Sequence, residues 1–172
     1  MADRKVAYAS SVAYTITLAS LATSSTLVAG RESTSISNTT DKFLDFLVSG
    51  KITTGTSPIG GVIEVWTYGS LEDTPTYPDV MDGTDSAETA TSRDILINGL
   101  SRIATIPVDT TSNRTYWFGP ISLAGSFGRL VGGNLYIPKN HGIFVTHSTG
   151  VNLHATGGNH AIWSNGVYET VA

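Results

Sequence analysis

Four histidines are the first side chains in this sequence that could carry chemistry. His141, His147, His154 and His160 all fall between residues 134 and 168. Two or three of them on neighbouring strands could bind zinc. Their spacings match neither a zinc finger nor the H-E-x-x-H motif, and His141 lies in a predicted turn. We expect His147 and His154 to form a cross-strand pair, so surface or interface histidines are favoured over a metal site.

A second candidate is the acidic stretch from Gly69 to Ser92, which contains no basic residue. Asp79, Asp82 and Asp85, together with Gly83, offer the oxygen ligands that calcium prefers. The sequence D-V-M-D-G-T-D departs from an EF-hand loop, however, and no glutamate closes it at the twelfth position. Prolines and glycine interrupt regular structure here, so the stretch predicts a long, solvated loop. Its acidic residues are Glu72, Asp73, Asp79, Asp82, Asp85 and Glu88.

Catalytic motifs are weak throughout the chain. Ser126 lacks the first glycine of a nucleophile elbow, because Ala124 stands there. Glu64 with Asp45 or Asp94 could form the carboxylate pair of a glycosidase, but a sandwich with 14 acidic residues offers such pairs by chance. The glycines form no phosphate-binding loop. We therefore assign no catalytic, cofactor-binding or metal-binding residue and expect no enzyme and no cofactor.

The aromatic residues permit two interpretations of a surface. They could stack on sugar rings or anchor a protein interface. Aromatic side chains are also favoured in strands and in sandwich cores, and this structural role is the better explanation. The residues concerned are Trp66, Trp117, Trp163, Tyr68, Tyr116, Tyr136 and Tyr168.

Length and composition exclude several classes of protein. A chain of 172 residues suits one domain, which we assign to residues 1–172. A net charge of −4 and a pI near 5.4 argue against nucleic acid as a partner. The absence of cysteine excludes disulfides. The run Val12–Ala29 follows Arg4 and Lys5 as in a signal peptide, but its alternation and its serines and threonines favour strands, and no membrane-spanning segment is predicted.

The first half of the chain predicts short strands separated by turns. Strands are expected at Lys5–Ala9, Val12–Leu18 and Leu27–Ala29, with an extended polar piece at Ser33–Asn38. Lys42–Thr54 could be a short helix, but Gly50 and the β-branched residues after it favour a strand. Val62–Tyr68 alternates most clearly, with Val62, Glu64, Trp66 and Tyr68 on one side.

The second half repeats this pattern. Strands are predicted at Asp94–Leu100, Arg102–Val108, Arg114–Gly119 and Gly128–Val131. A closing hairpin is predicted from Gly142–His147 and Val151–Ala155, with a turn at Ser148–Gly150, and Asn165-Gly166 predicts another tight turn. Many short strands between glycine, proline and asparagine signals indicate a β-sandwich or barrel.

Several stretches resemble a group of small virion proteins of tailed bacteriophages. They are the N-terminal residues 1–58, Val62–Gly69 with Thr76–Asp79, Gly119–Gly128, and GIFVTHSTGVNLHA from Gly142 to Ala155. The resemblance covers most of the chain as diffuse patterning, without a sharp motif. The proteins concerned are similar to capsid decoration, or cement, proteins with a jelly-roll β-sandwich.

The resemblance implies a fold, a location and partners. We expect an all-β, single jelly-roll-like antiparallel sandwich with a long extended N-terminal region, of which residues 1–40 could form an arm that packs on a neighbour. The expected function is to bind the outside of an icosahedral shell, assembled in the host cytoplasm, and to stabilise contacts between capsomers. The major capsid protein and copies of this chain, as a dimer or trimer, are the expected partners, without nucleic acid or membrane.

Two other functions remain open. The first alternative is a carbohydrate- or receptor-binding module of a phage tail or fibre, for which the aromatic residues would be responsible. A glycan-degrading or metal-dependent enzyme is the second.

Overall fold

Strand β6 shows most directly how the sequence shapes the fold. Its residues Gly61–Ser70 alternate between two environments, as the pattern at Val62–Tyr68 predicts. Ile63 and Val65 point into the main core, whereas Glu64, Trp66 and Tyr68 point to the opposite face. All five side chains are buried, so both faces of this strand are covered. The computed structural model describes residues 3–127 and 137–171.

The described residues contain eleven strands, two short α-helices and one turn of 3-10 helix at Gly157–Asn159. In chain order the elements are β1 Arg4–Tyr8, β2 Val12–Ala13, β3 Ala29–Glu32, β4 Ile36–Ser37, β5 Asp45–Thr53, β6 Gly61–Ser70, β7 Ala87–Thr89, α1 Arg93–Gly99, β8 Ser101–Val108, β9 Thr115–Ser122, α2 Leu123–Phe127, β10 Asn140–His147 and β11 Ala161–Val171. None of the helices in the described ranges is long and apolar enough to cross a membrane.

The strands form two antiparallel sheets. Sheet I has the order β1-β11-β5-β9, with β2 also paired to β11, and sheet II has the order β7-β3-β10-β6-β8, with β4 paired to β10. Counting the eight main strands β1, β3, β5, β6, β8, β9, β10 and β11 in chain order, sheet I contains the first, eighth, third and sixth. Sheet II contains the second, seventh, fourth and fifth. This is jelly-roll topology, so the predicted all-β, jelly-roll-like sandwich is confirmed.

The main core lies between the two sheets. Sheet I contributes Val48 and Ile52 of β5 and Ile162 of β11, and sheet II contributes residues such as Ile63 and Ile143. Each of these side chains is almost fully removed from solvent. Burying an aliphatic side chain of this size stabilises a fold by about 1.5–3 kcal/mol, so this layer is the main source of stability.

A second hydrophobic cluster lies on the outer face of sheet II. Residues 71–100, which we call the cover segment, place Met81, Leu96 and Leu100 against Trp66 and Phe144 of the sheet. The prediction of a solvated acidic loop at Gly69–Ser92 is therefore wrong for its apolar residues. Its acidic side chains lie at the rim, while the segment as a whole seals one face of the sandwich.

Helix α1 replaces the strand predicted at Asp94–Leu100. The side chain of Ser92 caps the helix by accepting a hydrogen bond from the Ile95 amide at 3.2 Å. Asp94 in the first turn also favours a helix N-terminus. Leu96 faces the second cluster and is fully buried, whereas Ile97 is half-exposed. The prediction was wrong because the pattern of so few residues does not distinguish a strand from a helix of about two turns with a buried leucine.

The predicted closing hairpin does not form. Strand β10 pairs with β6 and β3, and within Val151–Ala155 the ladder is reduced to an isolated bridge between Leu153 and Thr54. The chain does turn at Gly150, whose φ of 77° fits the prediction of a glycine turn. Asn165-Gly166 is not a turn, because β11 runs through it; a Cβ at Gly166 would overlap the ring of Phe43.

The N-terminal region is extended and packs on its own chain. Strand β1 pairs with β11 from Arg4 to Tyr8, and Tyr14 and Leu18 are buried in the main core. Residues 4–40, for which we expected an arm on a neighbouring subunit, thus contribute to this sandwich. The strand predicted at Val12–Leu18 is limited to Val12–Ala13. The strand predicted at Gly128–Val131 lies outside the described residues.

The second cluster makes a direct prediction about stability. Replacing Leu96 with alanine should lower the free energy of unfolding by about 2–5 kcal/mol, because it removes a fully buried leucine. Ile97→Ala, one residue further along the same helix, should cost about 0.5 kcal/mol or less, since Ile97 is half-exposed. Urea unfolding of the two variants measures both values. Equal effects would show that the cover segment does not pack on sheet II.

Candidate functional site

The four histidines do not converge on a metal. His141 lies on β10 with its ring 4.6 Å from that of Phe46 and 6.1 Å from that of Tyr14. Neither of its nitrogens has a hydrogen-bond partner among the described residues. His141 is fully buried, so the predictions of a turn and of a surface or interface position are wrong for it. Its location inside the sandwich excludes it from a surface binding site.

His147, His154 and His160 are tied into local hydrogen bonds. The Nε2 of His147 donates to the Leu21 carbonyl at 3.0 Å. The Nε2 of His160 donates to the carbonyl of His154 at 2.8 Å, and its Nδ1 accepts from the Thr53 amide. These partners hold His147 and His160 as neutral, buried rings, contrary to the prediction of surface histidines. The Nδ1 of His154 accepts from the Thr156 amide at 3.1 Å, so the predicted pair of His147 and His154 across a hairpin is absent as well.

The three aspartates of the calcium hypothesis have separate roles. Asp79 accepts hydrogen bonds from Thr91, and Asp82 accepts from Thr84. Asp85 accepts from the Thr17 hydroxyl at 2.6 Å and pairs with Arg31. Asp79 therefore joins two parts of the cover segment, Asp82 fixes a local turn, and Asp85 links the cover segment to the N-terminal region, so the three do not form a calcium site. The arginine and threonine donors lower the pKa of Asp85, although burial opposes them.

Glu32 is the buried carboxylate that the sequence analysis missed. It accepts hydrogen bonds from the Tyr68 hydroxyl at 2.7 Å, the amide of Asp82 at 3.1 Å and the Ser86 hydroxyl at 3.1 Å. Burial raises its pKa despite these donors. Asp82 and Glu88 place further carboxylate oxygens close by. Since the oxygens of Glu32 already have protein donors, this group fastens the cover segment to β3 and is not a vacant metal site.

Glu64 sits at the centre of an ionic cluster on the outer face of sheet II. Arg93 Nη2 lies 2.6 Å from one carboxylate oxygen and Arg102 Nη1 lies 3.0 Å from the other. The indole of Trp66 donates a hydrogen bond to Glu64 at 3.1 Å. The guanidiniums of Arg93 and Arg102 also lie over the Trp66 ring, 5.0 and 5.4 Å from its centroid. These donors satisfy the carboxylate, so Glu64 is a structural anion.

The other groups that were considered for catalysis, and not assigned to it, lie apart from Glu64. Asp45, one proposed partner of Glu64, is on sheet I, whereas Glu64 is on sheet II. The Asp45 carboxylate accepts a hydrogen bond from the Ala124 amide at 2.8 Å. Asp94, the alternative partner, lies in the first turn of α1. Ser126 is in α2 and donates to the Ser122 carbonyl one turn earlier, at 2.9 Å. Glu64, Asp45, Asp94 and Ser126 thus do not come together as a nucleophile, a base and an acid.

The outer face of sheet I differs from that of sheet II because it lacks a cover segment among the described residues. The register places the side chains of Val6, Tyr8, Leu47, Trp117, Trp163 and Val171 on this side. We call these six residues the open face. Trp117 is 66% exposed and Val171 is 72% exposed, values that are unusual for large apolar residues on a sheet.

The two tryptophans of the open face form a pair. Their rings are 6.1 Å apart and meet edge to face. Lys51 is opposite Trp117 and Ser49 is opposite Trp163 in the ladders of β5, so polar groups border the aromatic pair. The sequence predicted neither which tryptophans are exposed nor that they meet, because Trp117 and Trp163 are far apart in the chain. Trp66 and Tyr68, by contrast, are core residues, as predicted for the aromatic residues generally.

Comparison with known proteins gives no family or relative from which a function could be inferred, so the proposal below rests on the geometry described above. No protein-family model, no curated protein and no solved structure matches the chain.

The buried histidines make stability depend on pH. Burial lowers the pKa of His141 to about 4, and it also lowers the pKa values of His147 and His160. Between about pH 4 and 6.5 the unfolded chain therefore binds more protons at these residues, so stability is lost as pH falls through this range. The raised pKa of Glu32 has the opposite effect, because the folded chain then binds more protons at this residue above about pH 4.5. It therefore reduces the dependence of stability on pH that the histidines cause.

His141→Phe should reduce this pH dependence. Phenylalanine removes two unpaired buried nitrogens and cannot bind a proton, so the loss of stability between pH 7.5 and 5 should shrink by about 1–2 kcal/mol. Urea unfolding at several pH values measures the change. Ile97→Ala, which changes no titratable group, is the control and should retain the wild-type slope. An unchanged slope in His141→Phe would contradict the assignment of His141 as a buried neutral ring.

Proposed function

We propose that this chain is a virion structural protein that decorates the outside of an icosahedral shell and docks through the open face. The observation that carries the proposal is the difference between the two sheets. The chain covers the outer face of sheet II with its own cover segment and leaves exposed tryptophan, tyrosine and valine side chains on sheet I. A soluble domain rarely leaves such residues together on one face unless that face binds something.

The chemistry of the open face suits a protein surface. Aromatic residues with few charges are typical of the centre of protein interfaces. Trp117 of β9 and Trp163 of β11 supply a paired aromatic surface on this face, and tryptophan is the residue type most enriched among those that dominate binding energy. Many copies on one particle would add such contacts through avidity, so each contact can be modest.

The other described features favour binding over catalysis. Glu64, Ser126 and the buried histidines each have a structural role within the sandwich, as the hydrogen bonds and packing above show. The likeness of the sequence to small virion proteins and the jelly-roll topology agree with a capsid location. Jelly rolls also occur in lectins, so topology supports the proposal without selecting it.

Substitution of Trp117 tests the docking surface. Shells stripped of this chain by moderate denaturant should bind wild-type protein, and Trp117→Ser should raise the dissociation constant at least about tenfold, which corresponds to about 1.4 kcal/mol. The control is Ile97→Ser, which removes an exposed apolar residue from the opposite side of the sandwich. Equal binding of Trp117→Ser and wild type would overturn the assignment of the open face. Absence of the chain from purified virions would overturn the decoration function itself.

Salt should have little effect on this attachment. Arg4 and Glu169, which lie beside the open face, form an exposed ion pair with each other within one chain. An exposed pair of this kind contributes little, so we expect few ion pairs to the shell. Screening acts mainly on exposed charges, so washing virions with increasing salt should leave the chain in the pelleted particles. Moderate denaturant should release it. Complete release by salt alone would indicate that the acidic rim of the cover segment, and not the open face, meets the shell.

Carbohydrate binding is the second candidate function, and one observation favours it. Trp117 exposes its indole beside Lys51 and Ser49, which combines a stacking surface with polar groups as sugar-binding sites do. In this case the protein would act as a receptor-binding module of a tail or fibre. A glycan array with wild-type protein and Trp117→Ser separates the two functions. A glycan signal that depends on Trp117 would favour this candidate, and a blank array together with shell binding would favour decoration.

A further inference from the structure

The free edges of the two sheets are not equally protected against pairing with another chain. Strand β9 contains Pro120 and strand β8 contains Pro107, and proline cannot donate to a new ladder. Strand β7, the other edge of sheet II, is three residues long. Among the described strands, β1 is the sheet edge that has five residues and no proline. Charged residues also protect an edge, and β1 has these only at its start, in Arg4 and Lys5; the part from Val6 to Tyr8 carries neither a charge nor a proline and can accept a partner strand.

The backbone groups that β1 leaves free follow from its register. Tyr8 is opposite Val167, and the next amide, that of Ala9, donates to the Gly166 carbonyl at 2.8 Å. Antiparallel ladders alternate, so Ala7 and Lys5 also direct their backbone groups towards β11. Arg4, Val6 and Tyr8 therefore direct their amides and carbonyls outward.

These free groups are arranged symmetrically around Val6. If two β1 strands pair antiparallel about a two-fold axis at Val6, Val6 meets Val6 and Arg4 meets Tyr8 of the other copy. The outward amides and carbonyls of all three residues then find partners in the new ladder. Interfaces related by a two-fold axis use the same patch on both copies, and β1 meets this requirement.

The side chains are compatible with this pairing. Val6 and Tyr8 are each about 60% exposed, and both belong to the open face. Val6 would contact its own copy, and the guanidinium of Arg4 would lie near the ring of Tyr8, a favourable cation–aromatic pair. On the other side of the strand, Lys5 would be opposite Ala7, so no two like charges would meet directly.

We propose that two copies of this chain associate through β1, centred on Val6, to form one continuous sheet across the dimer. The pairing joins the open faces of the two copies into a single surface. The inference does not depend on the virion function, because it concerns the isolated protein, and its test uses no shell. Its failure is therefore distinguishable from a failure of the docking proposal.

Val6→Pro tests the edge with little effect on the fold. The Val6 amide points away from β11, so proline removes a donor from the proposed interface and retains the ladder inside the chain. Sedimentation equilibrium should show a wild-type dimer with a dissociation constant on the order of 1–100 µM and a monomer for Val6→Pro. Circular dichroism should show the same folded spectrum for both. The control Val171→Ser, an exposed position on the neighbouring strand, should remain a dimer.

A charge exchange tests the position of the axis. Val6→Glu and Val6→Lys should each be monomeric, because residue 6 would face the same charge in the partner copy. An equimolar mixture should recover a dimer that contains one copy of each variant. A monomeric wild type at about 100 µM, a dimer that persists in Val6→Pro, or a mixture that stays monomeric would each overturn the proposal.

Discussion

The row of outward side chains on β6 sets the constraint on which the rest of the structure depends. Glu64, Trp66 and Tyr68 point away from the main core, yet all three are buried. A carboxylate in such a place is strongly unfavourable unless donors surround it. Arg93 of α1, Arg102 of β8 and the indole of Trp66 supply those donors, so the charge of Glu64 requires the excursion of the chain over sheet II.

The same constraint explains why the two sheets present different surfaces. Residues 71–100 are the longest connection between two of the eight main strands, and they lie on the side of sheet II. Glu32 adds a second fastening point, because it accepts hydrogen bonds from both the sheet and the cover segment. In the described part of the chain no segment covers the outer face of sheet I, where Trp117 is exposed, Trp163 is half-buried beside it and β1 forms one edge of the sheet. The proposed docking through Trp117 and Trp163 and the proposed pairing through the backbone of β1 use different atoms of the same sheet, and Val6 and Tyr8 are the residues that the two surfaces share.

The sequence predicted the elements that alternate over enough residues to be distinctive. β6 alternates between two buried faces, and in β5 the glycine and β-branched residues after the apolar run favour a strand over a helix, as the structure confirms. Helix α1 was missed because a helix of about two turns with a single buried leucine is too short for a distinctive pattern, although Ser92 offered a capping signal. Asn165-Gly166 was taken as a turn because the local pattern does not show that the ring of Phe43 occupies the space above Gly166.

The features with functional meaning depended on contacts between distant parts of the chain. From the sequence, Glu64 could be one carboxylate of a catalytic pair, whereas the structure shows that it pairs with Arg93 and Arg102. Likewise, His141 carries no sign in the sequence that it is enclosed by Tyr14 and Phe46. Burial and exposure of single residues are tertiary properties, so the open face could be identified only from the fold.

The central claim is that the open face is the surface that meets a partner while the cover segment belongs to the fold. Hydroxyl-radical footprinting of the protein, free and bound to shells, tests it most directly. We expect oxidation of Trp117 and Trp163 in the free protein and strong protection of both in the bound state, with Ile97 and Leu71 on the other exposed surfaces unchanged. Protection of Ile97 and Leu71 with continued oxidation of Trp117 would contradict the account, because it would place the partner on the covered side.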